Sequence, residues 1–598
     1  MKKRTVGLGL SAFVLFGFAA CQASEQSKLQ TTNTRAETPF PDPLLFAQSK
    51  CSGLSAQASE ASAKATSGSN PDFSFGAAFA LPFEVVEHFA MPVTTQRLEA
   101  QQWFDTAMAH MANFNHDEAI AAFREAQKID PSCAMCYWGE GLAFGSNINA
   151  PYEAPRGAAG FVATQKAVAR IESLSAKEAA LIGALAVRYE KTPTGGVIEN
   201  AGAYADAMDQ LVREWPDDKI LLSLAAEANM DTQPWDYWNY GAGTPKGRTV
   251  RTLELLERAI NIDPDYAPAI HLYIHVTESS VDPYRAEPYA DRLQAQAFGV
   301  GHLVHMPSHI YLRLGRWQKS HDANIAAIAA DEAYIAASEN AAFYGAVYYP
   351  HNVHFVVSSS HYAGDAKTAL EMAGKLATLV DIDPSAPNPL AEHIAASTIY
   401  TALLYGEGAS VLDIPAPPQA HLYMRVAWHY ARGAKLAELN QLDRADAELA
   451  SLASLSEEPG FDDYQDVFQA PLPGILKVAM HTLEGRIAAA EGDLPLAIDR
   501  LEAAANAEAG LPYFEPTWWF YPTRQTLAGY LLQDGQYERA QREFYRTLIK
   551  APNNAYALFG LAEAYKATGN ATAEAYAREL FDKAWLGTKS EIPDLSKL

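Results

Sequence analysis

A two-helix unit that recurs after 34 residues near the end of the chain is the feature that most restricts the fold. Gly535 and Gly569 are 34 residues apart, and each follows a segment whose apolar residues recur at helical spacing. Gly560 stands where two helices would cross, and Ala551-Pro552 separates one helix pair from the next. A single pair of this kind cannot bury its apolar face, so such pairs stack on their neighbours. The repeat therefore predicts an all-α chain of antiparallel helix pairs.

The period, the small residues and the closing proline are those of the tetratricopeptide repeat. Ala555, Leu558, Gly560 and Tyr565 fall near its consensus positions, and the same plan appears at residues 99–129. Elsewhere the turns between pairs are spaced by roughly 43 to 50 residues. These spacings predict an irregular tetratricopeptide-like α-solenoid. Because such solenoids curl and present a concave surface, we expect a peptide or protein partner.

The start of the chain has the form of a bacterial export signal. Three basic residues precede an uncharged run over 5–20, and Phe18-Ala19-Ala20-Cys21 resembles a lipobox, after which the cysteine is lipidated. An ordinary secreted protein, cleaved nearby, is the alternative. Gln22 rather than Asp follows the cysteine, which favours the outer membrane of a Gram-negative bacterium by resemblance to lipoprotein sorting. We expect a signal peptide at 1–20, a lipid on Cys21 and an extracytoplasmic protein.

The segment 21–75 is rich in Ser, Ala, Thr and Gln, which is typical of a flexible tether. No later stretch is long and apolar enough for a membrane helix, so we expect the lipid to be the only membrane attachment. Once the leader is removed, 43 Lys and Arg face 71 Asp and Glu, a net charge of −28 with His counted neutral. This acidity argues against a nucleic-acid partner, whose phosphates require clustered basic residues.

Histidine is concentrated in one part of the chain: nine of 16 lie between His271 and His361. His271 and His275 are four residues apart, and Glu278 follows three residues later. On a helix these side chains share one face, where both imidazoles can reach one ion at about 2.0–2.1 Å and the carboxylate can be a third ligand. The order lacks the glutamate that directly follows the first histidine in HExxH metalloproteases, so that class is not expected.

The second histidine segment, Gly301–His309, contains a proline. The residue before a proline is disfavoured in the α region, so Pro307 is expected to begin a helix. This places His309 in the first turn of that helix and leaves His302 and His305 in a connecting segment.

The third segment, Tyr348–His354, again predicts a helix start near a proline, here Pro350. A single buried histidine is ordinarily a hydrogen-bonded packing residue between helices. Three histidine segments in consecutive helix pairs make a shared transition-metal site the alternative, and such a site would suit Zn, Cu or Fe better than Mg or Ca. The expected ligands are His271, His275, Glu278, His305, His309, His351 and His354.

Three functions are compatible with these features. The first is a binding scaffold that carries a transition metal in its central repeats. The second is a metal-dependent hydrolase or oxidoreductase, which would need an open coordination position and an acid or base, for which Glu278 is the candidate. The third is an interaction scaffold whose His and Cys residues are structural.

A Cys-x-x-Cys pair follows Asp130-Pro131-Ser132, which places Cys133 at the start of a helix. Thiolates are favoured there by unpaired backbone N–H groups. A redox pair, half of a metal site and a disulfide staple all fit Cys133 and Cys136, whereas Tyr137 in place of histidine excludes c-type haem attachment. An oxidising compartment favours the disulfide.

Longer motifs resemble a family of bacterial exported tetratricopeptide proteins. They are, in chain order, DPSCAMCYWGEGLAFGSNINAP, QPWDYW, HLYIHVTES, GHLVHMPSHIYLRLGRW and YYPHNVHF. The resemblance spans roughly residues 80–400, and more loosely the repeats beyond, and implies an exported, often lipid-anchored protein. We expect a tetratricopeptide-like helical region with the Cys and His motifs over 76–400 and further repeats over 401–590. The family has His-His-Pro near its first helix, where this chain has Glu87-His88-Phe89-Ala90-Met91-Pro92. A role of that upstream histidine therefore does not carry over.

Overall fold

The computed structural model describes residues 73–239, 243–296, 299–380, 382–383, 387–462, 464 and 470–588. The expected signal peptide, the lipidation residue Cys21 and nearly all of the 21–75 tether lie outside these residues. Within the described ranges the chain forms antiparallel helix pairs that stack in sequence, which confirms the predicted all-α, tetratricopeptide-like solenoid. None of the described helices combines the length and the apolar character needed to cross a membrane.

In the first part of the solenoid, several helices begin and end at residues that signal a helix boundary in the sequence. Asn115 and Asp130 bound the helix over 116–129, as predicted, and a Ser175–Glu178 capping box starts another helix. The helices are α1 (Phe83–Val86), α2 (Leu98–Ala112), α3 (His116–Ile129), α4 (Ala134–Ala143), α5 (Ala154–Val168), α6 (Ala176–Ala186), α7 (Ala201–Glu214), α8 (Lys219–Met230), α9 (Thr249–Ile262) and α10 (Ala267–Glu278).

Two short antiparallel strand pairs interrupt this region. Strand β1 (Tyr189–Lys191) pairs with β2 (Val197–Glu199), with Tyr189 opposite Glu199. Strand β3 (Trp238–Asn239) pairs with β4 (Thr244–Pro245). Single 3-10 turns lie at Glu87–Phe89, Ile171–Ser173, Pro283–Ala286, Ser410–Asp413 and Leu455–Glu457.

The central helices are α11 (Glu287–Gln296), α12 (Gly301–His305), α13 (Pro307–Arg313), α14 (Trp317–Ala337), α15 (Ala342–Ala363) and α16 (Ala366–Leu379). Pro307 begins α13 as predicted. However, Met306 keeps an αR conformation and α12 precedes it directly, so the expectation of a connecting segment is wrong. The first N–H groups of this short helix find tertiary acceptors: His302 N donates to the Tyr344 hydroxyl at 2.6 Å and Leu303 N to Asn113 Oδ1 at 3.1 Å.

The predicted helix start at Pro350 is also wrong. Pro350 is the ninth residue of the 22-residue helix α15. Helices α14 and α16 both pack along α15, and this tertiary packing outweighs the local helix-breaking preference of the proline.

In the last part of the solenoid, Gly535 and Gly569 each lie between the two helices of a pair, as the 34-residue repeat predicts. Its helices are α17 (Pro389–Tyr405), α18 (Leu422–Glu438), α19 (Leu442–Ser454), α20 (Leu472–Glu491), α21 (Leu494–Ala509), α22 (Thr523–Gln533), α23 (Tyr537–Lys550), α24 (Ala555–Ala567) and α25 (Ala571–Ala584).

Both ends of the solenoid pack against the central helices α13–α15. At the C-terminal end, Trp317 Nε1 donates to Asn553 O at 2.7 Å and Leu586 N donates to Ala363 O at 2.9 Å. At the N-terminal end, the buried Glu118 carboxylate accepts from the Tyr334 hydroxyl at 2.9 Å. The segment between α21 and α22, rich in aromatic residues, contacts α13 through Glu515 and α15 through Thr517. The superhelix thereby closes around the histidine segments.

Candidate metal centre

Helix α10 presents the first predicted ligands on one face. His271, His275 and Glu278 are each at most 1% exposed, and the rings of the two histidines are 4.9 Å apart between centroids. His302 on α12 completes this group, since its Nε2 lies 3.1 Å from His271 Nε2. One ligand nitrogen from each of the three histidines lies within 4.8 Å of the other two. The first triad is therefore His271, His275 and His302.

Two aromatic side chains enclose the first triad. Phe114, at a left-handed position between α2 and α3, has its ring centroid 4.5 Å from that of His271 and 5.3 Å from that of His302. Trp235 meets the ring of His275 edge-on at 5.2 Å. The neighbouring Trp238 Nε1 donates to Val276 O at 2.7 Å. The PWDYW segment thus covers the end of α10 and contacts a triad histidine.

The second triad comprises His305, His309 and His351, from α12, α13 and α15. His305 Nε2 lies 2.9 Å from His309 Nε2. The other nitrogen of His305, Nδ1, lies 2.6 Å from Asn324 Oδ1, and the amide nitrogen of Asn324 donates to Ser320 O at 2.7 Å. This chain of hydrogen bonds fixes the amide orientation, so His305 Nδ1 carries a proton and Nε2 presents a lone pair to the triad.

A third group adds carboxylates to the other side of His309. Its Nδ1 lies 2.6 Å from Glu278 Oε2 and 3.1 Å from Glu515 Oε2. Burial opposes protonation of His309, but the two carboxylates outweigh it and raise its pKa to about 10. Arg313 Nη1 donates to the main-chain oxygen of Glu278 at 2.6 Å, and the Tyr513 hydroxyl donates to Glu515. A protonated imidazole therefore lies beside two buried glutamate side chains.

Burial keeps the other cluster imidazoles neutral, which is the form that binds metals. Desolvation, with smaller contributions from neighbouring histidines, lowers the pKa far below its ordinary value in each of them. They are His271, His275, His302, His305 and His351.

His275 is buried without hydrogen bonds. Both of its ring nitrogens are buried without a hydrogen-bond partner, and Nδ1 lies 3.7 Å from Glu278 Oε1. A buried polar atom without a partner costs about 1–3 kcal/mol. A cation between the histidine and the carboxylate would satisfy both side chains.

The structure places the remaining predicted residues elsewhere or adds new ones. His354 does not join the three groups but packs against His393, with ring centroids 5.1 Å apart. Sequence reasoning missed His302, because of the connecting segment expected before Pro307, and Glu515, which is 206 residues from His309 in sequence. The aromatic run around Glu515, which interrupts the repeats, was the only signal for the latter.

The sulfur atoms of Cys133 and Cys136 lie 2.03 Å apart and form a disulfide bond. Both cysteines are fully buried, and Cys133 is the N-cap of α4. With both sulfur atoms bonded to each other, the pair contributes no thiolate ligand in this state.

A cavity of about 50 Å³ adjoins the first triad. Its walls are largely apolar and include Met108, Met111 and Phe114, and His271 lies at one side. Any small molecule held there would face the imidazole of His271.

Comparison with known proteins supports the fold. The sequence profile of the tetratricopeptide repeat matches residues 100–133, which cover most of α2 and all of α3. No curated protein matches the chain in sequence. Similar solved structures include the human IFIT1 dimer with m7Gppp-AAAA, at 13% identity over 84% of this chain and 92% of that chain with a TM-score of 0.28.

Two further solved structures show the same likeness. Naa15/Naa10 bound to HypK-THB is 13% identical over 81% of this chain and 70% of that chain, with a TM-score of 0.23. The APC/C hetero-tetramer Cut9-Hcn1 is 11% identical over 81% and 90%, with a TM-score of 0.24.

Proposed function

We propose that this protein is an extracytoplasmic, lipid-anchored solenoid that binds transition-metal ions in its buried histidine and glutamate cluster. The observation that carries the proposal is the state of His275, which is 1% exposed, has no hydrogen bond at either ring nitrogen and faces the buried carboxylate of Glu278. Most buried polar side chains have at least one hydrogen-bond partner, so both ring nitrogens of His275 are available to an ion.

The ligand chemistry supports Zn, Cu or Fe. Imidazole nitrogen suits all three ions, and an arrangement of several imidazoles with two carboxylates is poorly suited to Mg or Ca, which prefer oxygen ligands. Two of the candidate ligands are themselves held by hydrogen bonds. His305 is oriented by Asn324, and the carboxylate of Glu515 accepts from Tyr513. Such outer hydrogen bonds hold metal ligands in their binding orientation.

The solenoid would serve as the binding scaffold around this centre. Its fold is one that ordinarily binds peptides or proteins, and its net acidity argues against nucleic acid. The proposed extracytoplasmic, lipid-anchored location rests on the leader sequence and Cys21. Replacement Cys21→Ala should release the protein from the membrane fraction, whereas unchanged membrane attachment would contradict the lipid anchor.

Metal analysis tests the proposal. Protein purified without chelator, or reloaded with Zn(II) or Cu(II) and then desalted, is expected to retain at least one ion per chain by plasma mass spectrometry. A His275→Gln/Glu278→Gln variant is expected to retain fewer ions per chain than the wild type. The control is His361→Gln, which alters a buried histidine outside the three groups, bonded to Thr401 at 2.8 Å, and should retain the metal. Absence of metal from the reloaded wild type would contradict the proposal.

A further inference from the structure

The two ring nitrogens of His309 face two different ligand sets. Nε2 faces the lone pair of His305 Nε2 at 2.9 Å, in the triad that His351 completes. Nδ1 faces Glu278 Oε2 at 2.6 Å and Glu515 Oε2 at 3.1 Å. Because the two nitrogens point in divergent directions from one ring, no single ion can use both sets.

We infer that His309 bridges two metal ions, one bound by His305, His309 and His351 and the other by His309, Glu278 and Glu515. This inference rests on the proposed function, transition-metal binding by the buried cluster, and assigns two of the bound ions to His309. Each ion would bind one nitrogen of the bridging ring. His309 would then be an imidazolate, and both ring protons would pass to solvent as the ions enter.

The spacing of the ligand atoms fits an ion on each side. Ligand atoms about 2.0–2.1 Å from a tetrahedral ion are separated by roughly 3.4 Å. The distances of 2.9 and 3.1 Å around His309 therefore need an opening of only a few tenths of an ångström. The distance of 2.6 Å between His309 Nδ1 and Glu278 Oε2 must increase somewhat more. These side chains lie on separate elements, α10, α12, α13, α15 and the 510–522 segment, so rotamer adjustments can supply it.

Charge also favours an ion on the carboxylate side. Glu278 and Glu515 are 0% and 6% exposed, and each is removed from most of the solvent that would otherwise stabilise a negative charge. A divalent ion held by the two carboxylates would balance their negative charge.

The two positions differ in ligand chemistry. The three-imidazole position favours Cu or Zn. The other position, with one imidazole and two carboxylates, has harder ligands and also suits Fe. The centre is thus built to distinguish its two ions.

Copper(II) loading tests the bridge, because two Cu(II) ions joined by an imidazolate are antiferromagnetically coupled and lose their low-temperature EPR signal. We expect the copper bound by wild-type protein, measured after dialysis, to exceed the integrated EPR intensity by two ions per chain. In His309→Gln all bound copper should be visible. The Glu278→Gln/Glu515→Gln variant should bind one ion fewer than the wild type, and all of its bound copper should contribute to the EPR signal. The control His361→Gln should keep the pair of coupled copper ions that gives no EPR signal.

The outcomes separate this inference from the proposed function. Copper that binds the wild type but is fully visible by EPR would overturn the bridge and leave the metal site in place. No copper binding at all would overturn both. Far-ultraviolet circular dichroism establishes that each variant is folded. If His309→Gln is not folded, the carboxylate variant decides: an unchanged silent pair in that protein would overturn the bridge.

Discussion

Asp331 on α14 predicts a pH-dependent stability that a single substitution should remove. Its side chain is 0% exposed and lies against Gly301 at the start of α12, and Asn352 Nδ2 donates to its Oδ2 at 2.7 Å. Burial raises the pKa of this carboxyl from 3.8 to about 7; hydrogen bonds from Asn352 and Tyr344 oppose the shift. Asp331 therefore joins α14 to the two helices that carry His302 and His351.

The direction in which stability changes with pH follows from the number of protons bound in the folded and unfolded states. An unfolded aspartic acid loses its proton near pH 3.8, whereas folded Asp331 keeps it to about pH 7, so the folded state binds more protons between these values. Stability therefore falls as pH rises through this window, by about 1.4 kcal/mol per pH unit. Between pH 5 and pH 8 the loss is about 3 kcal/mol.

Calorimetry on the wild type and Asp331→Asn measures this loss. For a cooperative unit of about 500 residues the unfolding entropy is roughly 1 kcal/mol per kelvin, so the wild type should lose about 3 °C in Tm relative to the variant between pH 5 and pH 8. A smaller cooperative unit would give a larger shift. Asparagine has the same shape and cannot ionise, so the difference between the two proteins isolates Asp331. Parallel Tm curves over this range would refute the assigned burial effect.

Two further predictions concern the scaffold. Gly315→Ala should detach the C-terminal repeats from the central helices, because the φ of Gly315 is +62° and a Cβ would lie 1.7 Å from Pro552 O. Limited proteolysis of this variant should then cleave near residues 550–553. In the control Gly535→Ala, the φ is +77° but the space around the Cβ is open, so the free energy of unfolding should fall by only about 1 kcal/mol and the proteolysis pattern should not change. Equal cleavage of the two variants would contradict the packing of the C-terminal repeats on the central helices. Phe123→Ala should cost about 3–5 kcal/mol, since the ring is fully buried and packs 5.4 Å from that of Phe104; a melting temperature within 1 °C of the wild type would contradict this packing.

The local parts of the fold were accessible from sequence. The bounds of α3 follow from Asn115 and from Asp130-Pro131, which are signals within the segment itself. The shared face of His271, His275 and Glu278 likewise follows from spacing along one helix. Both depend on residues close together in the chain, where backbone geometry fixes the outcome.

The long-range parts of the site were not accessible. Glu515 reaches His309 only because the superhelix closes, which no local pattern encodes. His302 was assigned to a connection because Pro307 disfavours a preceding helix, yet Tyr344 and Asn113 supply the acceptors that let α12 form. In both cases, tertiary contacts between distant segments decide the position of a ligand.

The most direct test of the central claim is anomalous diffraction from crystals of metal-loaded protein, recorded on both sides of the absorption edge of the loaded ion. The account predicts anomalous peaks within bonding distance of His309, one toward His305 and His351 and one toward Glu278 and Glu515. Crystals loaded with metal that show no anomalous peak in this cluster, with the imidazoles hydrogen-bonded only to one another, to the carboxylates or to water, would contradict it.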